Sequence, residues 1–205
     1  MEIINLKQED LSIDSLGPRD IQSPLGLSTV DGDLIANYVE DSASVIIPDD
    51  KEEILQRISN GEEIPAFEKA GPRQQIYFDP SKTKAAIVTC GGLCPGINNV
   101  IRGLVMELSY RYGVDTTYGI RFGYQGFIPE YGHEPYMLTP DEVNDIHTKG
   151  GSILASSRGK QDINAIVDCL VKKDISILFT IGGDGTLRGA YNIYKEIKKR
   201  GLHIS

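Results

Sequence analysis

The chain has 205 residues, 40% hydrophobic and 24% charged, with a formal net charge of −8. These are ordinary globular values, so a buried core is expected. No apolar run approaches the length of a membrane span, and Met1-Glu2-Ile3-Ile4-Asn5 is neither basic nor followed by an apolar signal core.

The expectation is a soluble, cytoplasmic protein. Three cysteines, Cys90, Cys94 and Cys169, form no CxxC pair and read as reduced thiols of an intracellular chain. Residues 1–80 hold 17 acidic and 6 basic residues, a net of −11, whereas 81–205 hold 12 and 15, a net of +3. The second region is therefore the one suited to anionic ligands. It has no dense Lys/Arg cluster interleaved with aromatics, so neither nucleic acid nor a membrane is expected as partner.

Residues 1–80 are dense in turn signals such as Gly17-Pro18, Asp31-Gly32 and Asn60-Gly61. Short strands at 44–47 and 75–78 and a helix over 50–58 fit between them. This is an irregular acidic extension without an obvious core. From residue 81 strands and helices alternate. A buried strand at 84–89 leads into Cys90-Gly91-Gly92-Leu93-Cys94-Pro95-Gly96. A helix follows, with Ile97, Val100, Ile101, Leu104, Val105 and Leu108 on one face. Residues 114–120 form a strand, and Thr139-Pro140-Asp141-Glu142 is a helix start with an N-cap and a proline at its first position. A short strand is expected at 152–155 and a helix at 161–173. An apolar strand over 175–181 feeds Gly182-Gly183-Asp184-Gly185-Thr186. The last helix is expected to bury Leu187, Ala190, Tyr191, Tyr194 and Ile197, and it closes on Lys198-Lys199-Arg200-Gly201. Such alternation predicts an α/β fold, an open, mostly parallel sheet with helices on both faces. The chain stops at Leu202-His203-Ile204-Ser205, where a next strand is due, so it reads as truncated.

The two glycine turns each close a strand and open a helix. Bare backbone lets N–H groups approach phosphate oxygens, and the helix N-terminus favours an anion. A carboxylate at Asp184 would repel that ligand unless a hard cation lay between them, for which Mg²⁺ is the usual choice. The local reading is a nucleotide-phosphate and Mg²⁺ site. The alternative is a tight turn in which the glycines supply only permissive angles. Neither turn is GxGxxG, and no Walker A sequence is present. Ser156-Ser157-Arg158-Gly159 puts an arginine after two hydroxyls at an expected strand end, a reasonable triphosphate contact because guanidinium matches phosphate geometry.

The GGDGT pattern alone is shared by diacylglycerol kinases, NAD kinases and phosphofructokinases. Four motifs in order narrow the choice: Cys90 to Asn98, Gly123-Tyr124-Gln125-Gly126-Phe127, Gly150 to Gly159, and Gly182 to Thr186. Residues 84–205 resemble the 6-phosphofructokinase family in these motifs and their order. The acidic extension resembles that of the longer enzymes, a group with pyrophosphate-dependent and ATP-dependent members.

The resemblance implies phosphoryl transfer from ATP to fructose 6-phosphate in a homo-oligomer. It assigns ATP contacts to Gly92, Arg158, Gly159, Gly183, Asp184, Gly185 and Thr186, with Asp184 also the Mg²⁺ position. Tyr124 matches a tyrosine near the adenine, where either stacking or plain burial of a loop ring is expected. Gly185 matches the position at which pyrophosphate users carry Asp, and this implies ATP as donor. The family's catalytic-base segment is expected beyond Ser205, so no catalytic base is assigned within the chain and the 205 residues alone are expected to be inactive. A pyrophosphate-dependent enzyme and a non-catalytic nucleotide-binding module remain as alternatives. Arg102 lacks the second arginine that the short bacterial enzymes pair with it for an effector.

Overall fold

The structure is a computed structural model and describes residues 7–205. Backbone contacts divide the chain into two units, one up to Tyr77 and one from Phe78 to Ser205.

The first unit is built from short pieces. Strand β1 (Ile21–Gln22) and strand β2 (Ser44–Ile46) are followed by helix α1 (Lys51–Asn60) and strands β3 (Ala66–Glu68) and β4 (Gln75–Ile76). The pairs β1–β4 and β2–β3 are antiparallel. The side chain of Asp50 caps α1 by accepting from the Glu53 N–H, and Gly61, left-handed at φ 70°, ends it. No residue of α1 is buried. Among the described residues of this unit Leu11, Ser23 and Pro65 alone are buried, so apolar packing contributes little. Polar contacts substitute for it. Arg73 bonds Glu68 at 2.9 Å and the backbone carbonyls of Glu40 and Lys69, while Arg19 meets Asp41 at 3.1 Å.

The second unit contains a four-stranded sheet. Its strands are β5 (Lys84–Thr89), β6 (Thr116–Ile120), β7 (Tyr136–Met137) and β8 (Ile177–Ile181), in the order β7-β6-β5-β8. β5 runs parallel to both β6 and β8, and β7 is antiparallel to β6. Helix α2 (Ile97–Met106) continues as a π-helical turn, Glu107–Tyr112. Helices α3 (Pro140–Val143), α4 (Ile163–Lys172) and α5 (Asp184–Lys199) complete the unit.

Side chains alternate along β5 as a strand's two-residue period requires. Ala86 and Val88 join Ile166, Val167, Leu170, Ile193 and Ile197 beneath α4 and α5. Ile87 joins Ile97, Ile101, Val105 and Val143 beneath α2 and α3. Helices thus cover both faces, as the strand–helix alternation predicts. Beyond α5, the Ser205 N–H donates to the Ser176 carbonyl and the Ser205 carbonyl accepts from the Leu178 N–H, which places Ser205 along the outer side of β8.

Three expectations need correction. Residues 152–155 form a turn, with Ala155 at φ 54°, and not a strand. Their backbone groups are taken up elsewhere: Ile153 N–H by Asn98, Leu154 C=O by Phe122 N–H and Ala155 C=O by Thr89. Val100 is 49% exposed, so the buried stripe of α2 narrows to Ile97, Ile101 and Val105. In α5 the buried residues are Thr186, Ile193 and Ile197, whereas Leu187, Tyr191 and Tyr194 face outward. The reason is steric. A Cβ at Gly189 would lie 2.6 Å from the Tyr124 ring, and one at Gly182 would lie 2.2 Å from the Thr186 hydroxyl oxygen. At its start the helix therefore turns Thr186 toward Gly182 and Gly189 toward Tyr124, while Ile193 and Ile197 supply its buried apolar side.

Asn98 ties this unit together at 2% exposure, donating to the Lys149 carbonyl at 3.0 Å and accepting from Ile153 N–H at 2.9 Å. Asn98→Ala should lower stability by about 2 kcal/mol, because a buried donor and acceptor are left unpaired. A urea titration checks this, and an unchanged midpoint would show that the two contacts carry no net stability.

Candidate functional site

β5 and β8 are paired in register with Thr89 beside Ile181, so both strands end at the same level. The turns that follow them, 90–92 and 182–185, leave the sheet side by side. Cys90 N–H still donates to the Ile181 carbonyl at 2.9 Å, extending the ladder by one bond. This is the carboxyl end of the parallel strands, where open α/β sheets place their ligands.

A third segment is stitched onto these turns. Ser156 Oγ donates to the Gly91 carbonyl at 2.7 Å, Thr89 Oγ1 donates to the Ala155 carbonyl at 2.7 Å, and Thr89 and Ser152 share a hydroxyl bond of 2.8 Å. These bonds hold residues 152–157 against the end of β5 and so aim Arg158 and Gly159 across the first glycine turn.

α5 starts without a side-chain cap, because its N-cap residue is Gly183. Thr186 N–H and Leu187 N–H return to the Gly183 carbonyl. The positive end of the helix dipole is thus turned to the space before Asp184 and Gly185, which favours an anion there. Asp184 and Gly185 are exposed, whereas Thr186 is 4% exposed with its hydroxyl seated against Gly182 and 3.7 Å from where a Gly91 Cβ would be. Thr186 can therefore serve a ligand chiefly through its backbone.

Between these parts lies a cleft of about 570 Å³. Its walls include all eight residues expected from sequence: Gly92, Tyr124, Arg158, Gly159, Gly183, Asp184, Gly185 and Thr186. Residues that the sequence reading missed also line it, notably Lys160, Gln161, Ile163, Arg188 and Asn192. Lys160 was visible as the neighbour of Arg158-Gly159. Arg188 and Asn192 stand four and eight places after Asp184, a helical spacing that puts them on its face. Ile163 carried no local signal, since only the packing of α4 beside α5 brings it here.

The lining charges are Arg158, Lys160 and Arg188 against the single carboxylate of Asp184. Among the described residues none of these cations is engaged in an ion pair. The cleft is thus poised for a polyanion, and one carboxylate stands amid the positive charge. Among the described residues no three His, Cys, Asp or Glu side chains converge on a metal position. The donor set still fits Mg²⁺, which is commonly held by one or two carboxylates plus substrate phosphates and water. Burial pushes the Cys90 thiol up to about 11, so this cleft-lining sulfur stays protonated at neutral pH. Burial first, and the neighbouring Cys90 second, raise the Tyr124 phenol as well. Its hydroxyl donates to the Thr186 carbonyl at 2.9 Å. Arg102 lies elsewhere, donating to the Asn144 carbonyl at 3.1 Å.

A family model described as Phosphofructokinase matches residues 84–204. The ATP-dependent 6-phosphofructokinase of Entamoeba histolytica is 54% identical over 138 residues, 67% of this chain and 31% of the relative. The protein of that name from Amycolatopsis methanolica is 41% identical over 202 residues, 98% of this chain and 44% of the relative. The chain thus spans less than half the length of these curated relatives. Among solved structures, a pyrophosphate-dependent phosphofructokinase from Marinobacter aquaeolei shares the fold, with a TM-score of 0.53 and 20% identity over 60% of this chain and 32% of that one. The matched stretch holds both glycine turns, the loop between them and the whole lining of the cleft, and the chain belongs to the phosphofructokinase family.

Proposed function

We propose that the protein transfers the terminal phosphoryl group of ATP to fructose 6-phosphate, giving ADP and fructose 1,6-bisphosphate, a step of glycolysis. One observation carries this reading: the exposed carboxylate of Asp184 stands on a bare turn amid three cations. Phosphoryl transfer needs little covalent help from the protein and depends on positioning and charge neutralisation. Arg158, Lys160 and Arg188 neutralise the polyphosphate, and the backbone of the two glycine turns donates to its oxygens. Asp184 would hold Mg²⁺, which would supply positive charge to offset that of the transferring phosphate. The names of the relatives support ATP as donor and the 6-phosphorylated sugar as acceptor. A cytoplasmic homo-oligomer is part of the same proposal. Among the described residues no helix is long and apolar enough to cross a membrane.

Gly185 supports ATP over pyrophosphate. A Cβ there would meet no atom within 4 Å, so the space before it is free for the rest of a nucleotide. A carboxylate at this place would occupy that space and repel a phosphate.

Two outcomes are expected of the natural full-length protein. With saturating fructose 6-phosphate it turns over faster with ATP than with pyrophosphate, and Gly185→Asp lowers kcat/KM for ATP by about 100-fold, the scale of an introduced charge conflict. Faster turnover of the wild type with pyrophosphate would reverse the donor assignment. Asp184→Ala should cost about 100-fold or more in kcat with a native circular dichroism spectrum, as lost electrostatic stabilisation of a transferring group does. Unchanged kcat would reduce Asp184 to a turn former, and a wild type that binds ATP without turning over would favour a nucleotide-binding module.

A further inference from the structure

Tyr124 is held in a way that the transfer reaction does not by itself explain. It sits in the 3-10 turn Gly123–Phe127 after β6. Its backbone N–H faces the Cys90 sulfur at the end of β5. Its hydroxyl donates to the Thr186 carbonyl in the first turn of α5 at 2.9 Å. Its ring edge occupies the place a side chain at residue 189 would take, with Cε2 2.6 Å from that Cβ position and Cζ 3.2 Å from it. Tyr124 thus links the turn after β6, through its backbone, to the end of β5 and, through its side chain, to the start of α5.

We infer that Tyr124 is a positioning residue: it sets the height and rotation of the start of α5, and through Thr186 the place of Asp184. The last clause rests on the phosphoryl-transfer reading above. The first turn of α5 has no side-chain cap to fix it. Nor does an apolar stripe fix it, since Leu187 and Tyr191 lie outward at 57% and 54% exposure. What remains at this end is the Tyr124 contact from one side and the seating of Thr186 on Gly182 from the other. The ring is a spacer that stops the helix from sinking toward the sheet. The hydroxyl is a latch that stops it from turning. Burial keeps the phenol protonated, so the latch persists across the physiological pH range.

Tyr124→Phe tests the latch, because it keeps the ring and any stacking face and deletes only the hydroxyl. Without nucleotide, exchange of the Thr186 and Leu187 amides should quicken by about 10-fold, the effect of one lost hydrogen bond, while residues 193–197 keep their protection. In the full-length enzyme the Mg²⁺ concentration for half-maximal turnover should rise several-fold, with adenosine binding unchanged. Gly189→Ala, which presses on the ring with the hydroxyl present, should move both readouts the same way. Unchanged exchange and Mg²⁺ dependence in Tyr124→Phe would overturn the inference. So would loss of adenosine affinity with neither readout moved, which would make Tyr124 a base contact. Local exchange that quickens in a protein failing to use ATP would leave the positioning of α5 standing and sink the ATP reading alone.

Discussion

Parallel pairing of β5 with β8, with Thr89 opposite Ile181, brings two side-chain-poor turns to one level. The rest of the site depends on that register. A slip of one residue would send Ala86 and Val88 to the opposite face and separate the turns by a residue's rise. Burial guards against the slip: Ala85, Ala86, Ile87 and Val88 are fully buried, so each has one face on which it fits. The core and the cleft are therefore consequences of the same pairing.

Two ways of closing an α/β unit meet at the cleft. Hydrogen bonds organise the loop side, where Thr89, Ser152 and Ser156 lock residues 152–157 to the end of β5. Close contact organises the helix side, where Thr186 fills the space over Gly182. Both restrict motion before a ligand is present, which lowers the ordering cost of binding. Positive charge lies on Arg158, Lys160 and Arg188, which line the cleft.

The first unit follows another logic. With Leu11 as its buried large apolar residue among those described, it is held by the arginine contacts of Arg19 and Arg73 and by short strand pairs. Exposed ion pairs contribute little each, though the Arg73 side chain, 10% exposed, is a better-placed partner than most. Local opening is cheapest where apolar burial is thin, so this unit is the low-stability end of the chain.

Much of the second unit was legible in the residues themselves. The apolar run at 84–89, the capped start at Thr139 and the glycine stop after Arg200 each carry their signal within a few neighbours. That the two glycine turns and Arg158 belong to one place was legible too, since each was expected at a strand end, and the structure brings them to one cleft. What the chain could not announce was the rotation of α5, the pairing of the short strand β7, or the loop state of residues 152–155. Periodicity records that a helix has an apolar side, yet the side it buries is settled by whatever it meets. For α5 that partner is Tyr124, 62 positions earlier, and for Ile153 it is Asn98, 55 positions earlier. Contacts of that span leave no trace in local pattern, and so tertiary structure alone decided where the helix, and with it Asp184, stands.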